Sequence, residues 1–124
     1  MRPWLAIGAL GCAVGVAAGA FGAHGLASRL DARSLALWET AVRYWFIASL
    51  GLLALGLAAG RLAPGLVRGA GLCLSLGALV FSGTVAALAL GSPRWLGAIT
   101  PIGGVLLIIG FTLFAWAAWR MGDG

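Results

Sequence analysis

The chain has 124 residues, of which 62% are hydrophobic and only 9% charged, with a mean hydropathy of +1.07. Soluble domains average roughly 45–50% apolar and about 25% charged residues, and a chain this short has too much surface for its volume to hide the excess, so a water-bathed globule is excluded. The net charge of +5 comes from arginines set against Asp31, Glu39 and Asp123, and their single, scattered placement fits headgroup anchors rather than the clustered patch of a nucleic-acid binder.

Four apolar stretches, over about 4–24, 32–60, 66–90 and 101–120, are each long enough to cross a ~30 Å hydrocarbon core as a helix. The first runs on from Trp4 to Ala23, longer than the apolar region of a secretory signal, and reads as a transmembrane helix. It is expected to close at His24-Gly25, with Gly25 in the left-handed conformation. In the hinge that follows, Asp31 suits the N-cap of the second helix, with Leu30 and Leu35 at staple spacing. That helix is longer than the hydrocarbon is thick, so Trp38, Tyr44 and Trp45 are expected in an interfacial aromatic belt.

The third span follows the turn Arg61–Gly65 and ends at Gly91-Ser92-Pro93-Arg94. For the fourth, Thr100 is expected to cap and Pro101 to occupy the first helical position. Trp95–Ile99 is too apolar for a solvated loop and is placed along the membrane surface or among the helices. With no partner in hydrocarbon for an open strand edge, and no alternating pattern, the fold is all-α. The expectation is a single transmembrane domain over residues 1–124, an antiparallel up-down four-helix bundle.

Gly8, Gly11, Gly15, Gly19 and Gly22 recur at steps of three and four, which makes one helix face on which a neighbouring backbone can approach closely. Gly56 and Gly60, and Gly65 and Gly69, repeat the spacing. The face fits either packing inside the bundle or a homodimer.

An antiparallel bundle brings the end of helix one, the start of two, the end of three and the start of four to one membrane face. His24, Glu39, Arg43, Tyr44, Ser82, Thr84 and Thr100 all fall there, whereas the opposite face carries little beyond Arg2, Arg61, Arg68, Arg120 and Asp123. Glu39 and Arg43 stand four apart, in the favourable order for an ion pair, and an intramembrane charge marks function when it faces the bundle. His24 at a helix C-terminus either caps or acts as a relay or ligand-binding group. Ser82 and Thr84 can bond within their helix or across to another. The start of helix four, Thr100 to Gly103 and Gly104, offers backbone N–H groups to a lipid phosphate or simply caps.

Cys12 and Cys73 lie inside apolar spans with no metal-ligand spacing around them. No nucleophile–base pair, paired acids or phosphate loop appears. No catalytic residue, metal or cofactor is therefore assigned.

Gly19-Ala20-Phe21-Gly22-Ala23-His24-Gly25-Leu26, Trp38-Glu39-Thr40-Ala41-Val42-Arg43-Tyr44, Phe81-Ser82-Gly83 and Arg94-Trp95-Leu96-Gly97-Ala98-Ile99-Thr100-Pro101-Ile102-Gly103-Gly104 together resemble one family. It is the YgdD-like small membrane proteins, a family of unknown function from bacterial inner membranes with relatives in mitochondria. The resemblance spans nearly the whole chain and implies four transmembrane helices without an activity. The second histidine that members often carry a turn after the tyrosine is replaced here by Ala48. The tyrosine often found soon after Phe-Ser-Gly is absent, with Val85 and Ala86 nearby.

The resulting expectation is a multi-pass protein of the bacterial inner membrane, both termini cytoplasmic. Its polar face would bind a lipid headgroup or a partner membrane protein without catalysing a reaction, and a homodimer is a further possibility. The alternative is a small transporter or channel component using His24, Glu39 and Arg43.

Overall fold

The computed structural model describes residues 2–121. Asp123 and the side chain of Arg2, both assigned above to the less polar face, lie outside the described residues. The elements are α1 (Arg2–Phe21), a π-helical turn (Gly22–Leu26), α2 (Ala32–Ala58), a 3-10 turn (Ala59–Arg61), α3 (Pro64–Ala89), a second 3-10 segment (Arg94–Ala98) and α4 (Thr100–Trp119). All four helices are long and apolar enough to cross a membrane. The protein is an all-α transmembrane bundle.

Local chemistry sets the helix ends. Asp31 is the N-cap of α2, extended at φ −71° and ψ 173°, and its carboxylate accepts the Ser34 N–H at 2.8 Å. Pro64 opens α3, where its missing N–H costs nothing. Gly91 closes α3 in the left-handed region at φ 98°. Its N–H donates to Leu88 O and that of Ser92 to Ala87 O at 3.0 Å, the paired bonds of a Schellman motif.

Two expected ends differ. Gly25 does not take the left-handed conformation, since Gly91 is the positive-φ glycine of the described residues. Instead α1 widens into the π turn and continues to Leu26. Thr100 does not cap α4, because the 3-10 segment runs straight into the helix and Ile99 is already helical at φ −85° and ψ −30°. A capping side chain needs an extended backbone that no residue there adopts.

Each helix packs extensively on its sequence neighbour, α1 on α2, α2 on α3 and α3 on α4. The registers are antiparallel and close, because glycines face bulk. A Cβ on Gly8 would come 2.7 Å from the backbone nitrogen of Leu53, one on Gly56 2.7 Å from that of Leu5, and one on Gly15 2.8 Å from the Phe46 ring. Across α3 and α4, Gly77 faces Leu107, Gly110 faces Leu74, and Gly103 faces the backbone of Phe81. Longer reaches tie alternate helices, with Trp4 over Gly71 and Phe111 over Gly51.

The core runs along α2 and α3, where Ala48, Leu55, Ala70 and Leu74 are fully buried. The outer surface is the reverse of a soluble protein's: Leu57 is 77% exposed and Ile108 68%. Contiguous apolar surface of this kind is stable only against hydrocarbon.

Candidate functional site

Two tryptophans on α2 anchor α1, one near its polar end and one at its middle. The Trp38 indole N–H donates to Ala18 O at 2.9 Å and that of Trp45 to Gly11 O at 2.7 Å. The donors stand seven apart and the acceptors seven apart in the opposite sense, which is two helical turns of an antiparallel pair. An indole N–H in hydrocarbon requires an acceptor, so both rings turn inward onto α1 and stand half-buried. Gly22 makes room for the first ring, since a Cβ there would come 2.6 Å from Trp38 Cδ1.

Against this ring lies a crevice of about 270 Å³ between the end of α1 and the first turns of α2, lined by Gly19, Gly22, Ala23, Trp38, Glu39, Val42 and Arg43. A π turn widens the backbone and occurs often at functional positions; here Gly22 and Ala23 in that turn form one wall. Glu39 and Arg43 are exposed and supply a carboxylate and a guanidinium on the other. His24 follows Ala23 in the π turn and is also exposed. Beyond the crevice, in the hinge, the Ser34 backbone N–H holds the Asp31 carboxyl below its ordinary value, helped by the Ser34 hydroxyl and the Arg33 charge.

The remaining expected residues lie elsewhere. Ser82 is buried and donates to Ala41 O at 2.7 Å, joining α3 to α2. Thr84 and Thr100 share a hydrogen bond of 2.6 Å that joins α3 to α4; with Thr100 as its donor, the Thr84 hydroxyl donates to Val80 O at 2.7 Å in the preceding turn. Gly103 is buried against Phe81, and the Ile102 N–H is taken by Ile99 O. Tyr44 packs edge-on against Phe81 with ring centroids 4.9 Å apart, on the side of α2 that meets α4.

The polar face therefore divides. The hydroxyls of Ser82, Thr84 and Thr100 are hydrogen-bonded within the bundle, while the side chains of His24, Glu39 and Arg43 are exposed. Of the five glycines on this face, Gly8, Gly11 and Gly15 of α1 and Gly22 of the π turn lie tight against α2, and Gly19 has only Val42 at 3.7 Å.

Missed by sequence reasoning was the role of Trp38 and Trp45, although their seven-residue spacing opposite a glycine face was a usable signal. The π turn had none, since His24-Gly25 reads as a helix end closed by a left-handed glycine.

A bundle of four apolar helices with an amphipathic crevice at one end defines a small integral membrane protein. The chain belongs to the family described as protein of unknown function (DUF423), which it matches over residues 18–104. It is 41% identical to a UPF0382 membrane protein of Staphylococcus saprophyticus over 121 residues, 98% of this chain and 100% of the relative. It is 44% identical to one of Staphylococcus epidermidis over 117 residues, 94% and 95% of the two chains. A third, from Bacillus subtilis, is 37% identical over 119 residues, 95% and 97%. These likenesses support an unknown-function membrane family, which carries the DUF423 and UPF0382 names. No solved structure matches the chain.

Proposed function

We propose that this protein is a non-enzymatic module of the bacterial inner membrane that holds a phospholipid headgroup in the crevice between α1 and α2. The observation that carries the reading is that Arg43 and Glu39 share one small crevice with the Trp38 ring. Arg43 gives a lipid phosphate a charge-assisted partner, and Glu39 accepts from a headgroup hydroxyl or ammonium. The amphipathic indole suits the boundary between headgroup and chain.

Both termini are assigned to the cytoplasm, which puts the crevice in the outer leaflet. A partner membrane protein at the same face is the competing occupant.

Transport is favoured less. After Arg43, α2 carries no further charge, and the Ser82, Thr84 and Thr100 hydroxyls are hydrogen-bonded between helices, while the buried Ser75 hydroxyl in the middle of α3 has no partner among the described residues. A transporter places its ion or substrate site near the midplane.

The test is native mass spectrometry of the protein released from detergent with its membrane lipids. Retained phospholipid should fall in Arg43→Ala and, to a lesser degree, in His24→Ala. Unchanged lipid in both variants would overturn the reading.

A further inference from the structure

Glu39 and Arg43 both line the crevice beside Trp38, and both are exposed. They are the charged residues of that lining, one of each sign, so the lining carries no net charge. No other lining side chain offers a free polar group. Gly19, Gly22, Ala23 and Val42 have none, and the Trp38 N–H donates to Ala18 O. Discrimination between headgroups therefore falls to the two charges of α2.

Their order along the helix is as informative as their signs. α2 starts at Ala32, after the hinge, so Glu39 stands nearer the membrane surface. Arg43 lies one turn further in, roughly 6 Å towards the midplane at 1.5 Å per residue. Side chains four apart share a helix face, with Cβ atoms about 5–6 Å apart. A zwitterionic phospholipid is built in the same order. Its phosphate is joined to the glycerol that carries the chains and lies deeper, and its ammonium sits an ethylene link further out.

We infer that the crevice selects a zwitterionic headgroup, with the phosphate at Arg43 and the ammonium at Glu39. This rests on the headgroup reading above and names the class of headgroup. Arg43 donates charge-assisted hydrogen bonds to the phosphate, and the Glu39 carboxylate accepts from the ammonium. An anionic lipid such as phosphatidylglycerol satisfies Arg43 but brings no cation to Glu39, whose carboxylate then stands beside a phosphate of like charge.

The other charges at this membrane end, Arg29, Arg33 and Arg94 against Asp31, lie outside the lining. They draw anionic lipid to the whole face, so a change confined to Glu39 is what isolates the crevice.

The test adds equal amounts of phosphatidylethanolamine and phosphatidylglycerol with identical chains to the delipidated full chain. Native mass spectrometry reads the ratio of the two bound lipids. The wild type should favour phosphatidylethanolamine. Glu39→Gln keeps the size and removes the charge at an exposed position, and should lower the ratio about fivefold, the upper end for a solvent-exposed ion pair. Asp31→Asn, which removes an acidic charge at the same end but outside the crevice, should keep the wild-type ratio. Arg43→Ala should lose both lipids. Soluble phosphoethanolamine at the same concentration should displace neither.

A wild-type ratio that favours phosphatidylglycerol, or one that Glu39→Gln leaves unchanged, would overturn the zwitterion match; loss of both lipids in Arg43→Ala would then leave the headgroup site standing. An equal fall in Asp31→Asn would assign the preference to the charge of the whole membrane end and overturn the match likewise. Displacement by phosphoethanolamine would overturn a lipid as the source of the zwitterion. Wild-type binding of both lipids by Arg43→Ala would overturn the headgroup site and this inference with it.

Discussion

The indole nitrogen of Trp45 stands 2.7 Å from the carbonyl oxygen of Gly11, and that one bond shows how α1 and α2 depend on each other. Gly11 is buried against Ser49, so the helices are close enough for a side chain of one to reach the backbone of the other. Trp38 repeats the arrangement on Ala18 two turns away. Trp45→Phe keeps the ring and removes the donor. It should cost about 0.6–2 kcal/mol, the range for interhelical hydrogen bonds in membranes, read as a lower Tm in detergent. An unchanged Tm would show that the bond adds nothing.

Gly15→Leu should loosen the bundle more severely. The new side chain would start 2.8 Å from the Phe46 ring, and overpacking of this kind costs typically about 1–3 kcal/mol. Gly83→Ala should do the opposite, raising thermal stability by up to about 1 kcal/mol through helix propensity, because its Cβ enters open space. Thermal melts of the two variants side by side separate glycines that permit contact from one that faces open space.

Thr84 and Thr100 form the polar tie between α3 and α4 at 2.6 Å. Thr84→Val and Thr100→Val should each destabilise, and the double variant should cost less than their sum. The coupling is expected at about 0.5–1 kcal/mol, measured by a double-mutant cycle in detergent.

The α2 cap makes a pH prediction. Asp31 is held below its ordinary value of 3.8 by the Ser34 N–H, so the folded state binds its proton more weakly than the unfolded chain does. Its contribution is fully present above the unfolded value and is lost as pH falls through the lowered folded one. Asp31→Asn keeps a capping oxygen without the titration. The variant should flatten that acid limb of the stability profile, followed by helicity and Tm against pH.

Much of this architecture was legible in the residues. Apolar runs with Asp31, Pro64 and Gly91 at their ends announced four helices because hydrocarbon allows a backbone few alternatives. The site was legible only as a membrane face. Ser82, Thr84 and Thr100 look like His24, Glu39 and Arg43 in a sequence, since each set consists of polar residues near helix ends. Only packing reveals that the hydroxyls are used up between helices while the charged groups stand exposed. Gly83 likewise resembles the packing glycines, and only its empty surroundings set it apart.

The claim that the crevice beside Trp38 receives a phospholipid is tested most directly by photocrosslinking. A phospholipid with a photoreactive group in its headgroup would be incorporated into proteoliposomes holding the full chain, and the adducts mapped by peptide sequencing. The account predicts adducts concentrated on the π turn and on the first turns of α2 around Glu39 and Arg43, and their loss in Arg43→Ala. Adducts spread evenly over the ends of all four helices, and unaffected by Arg43→Ala, would contradict it.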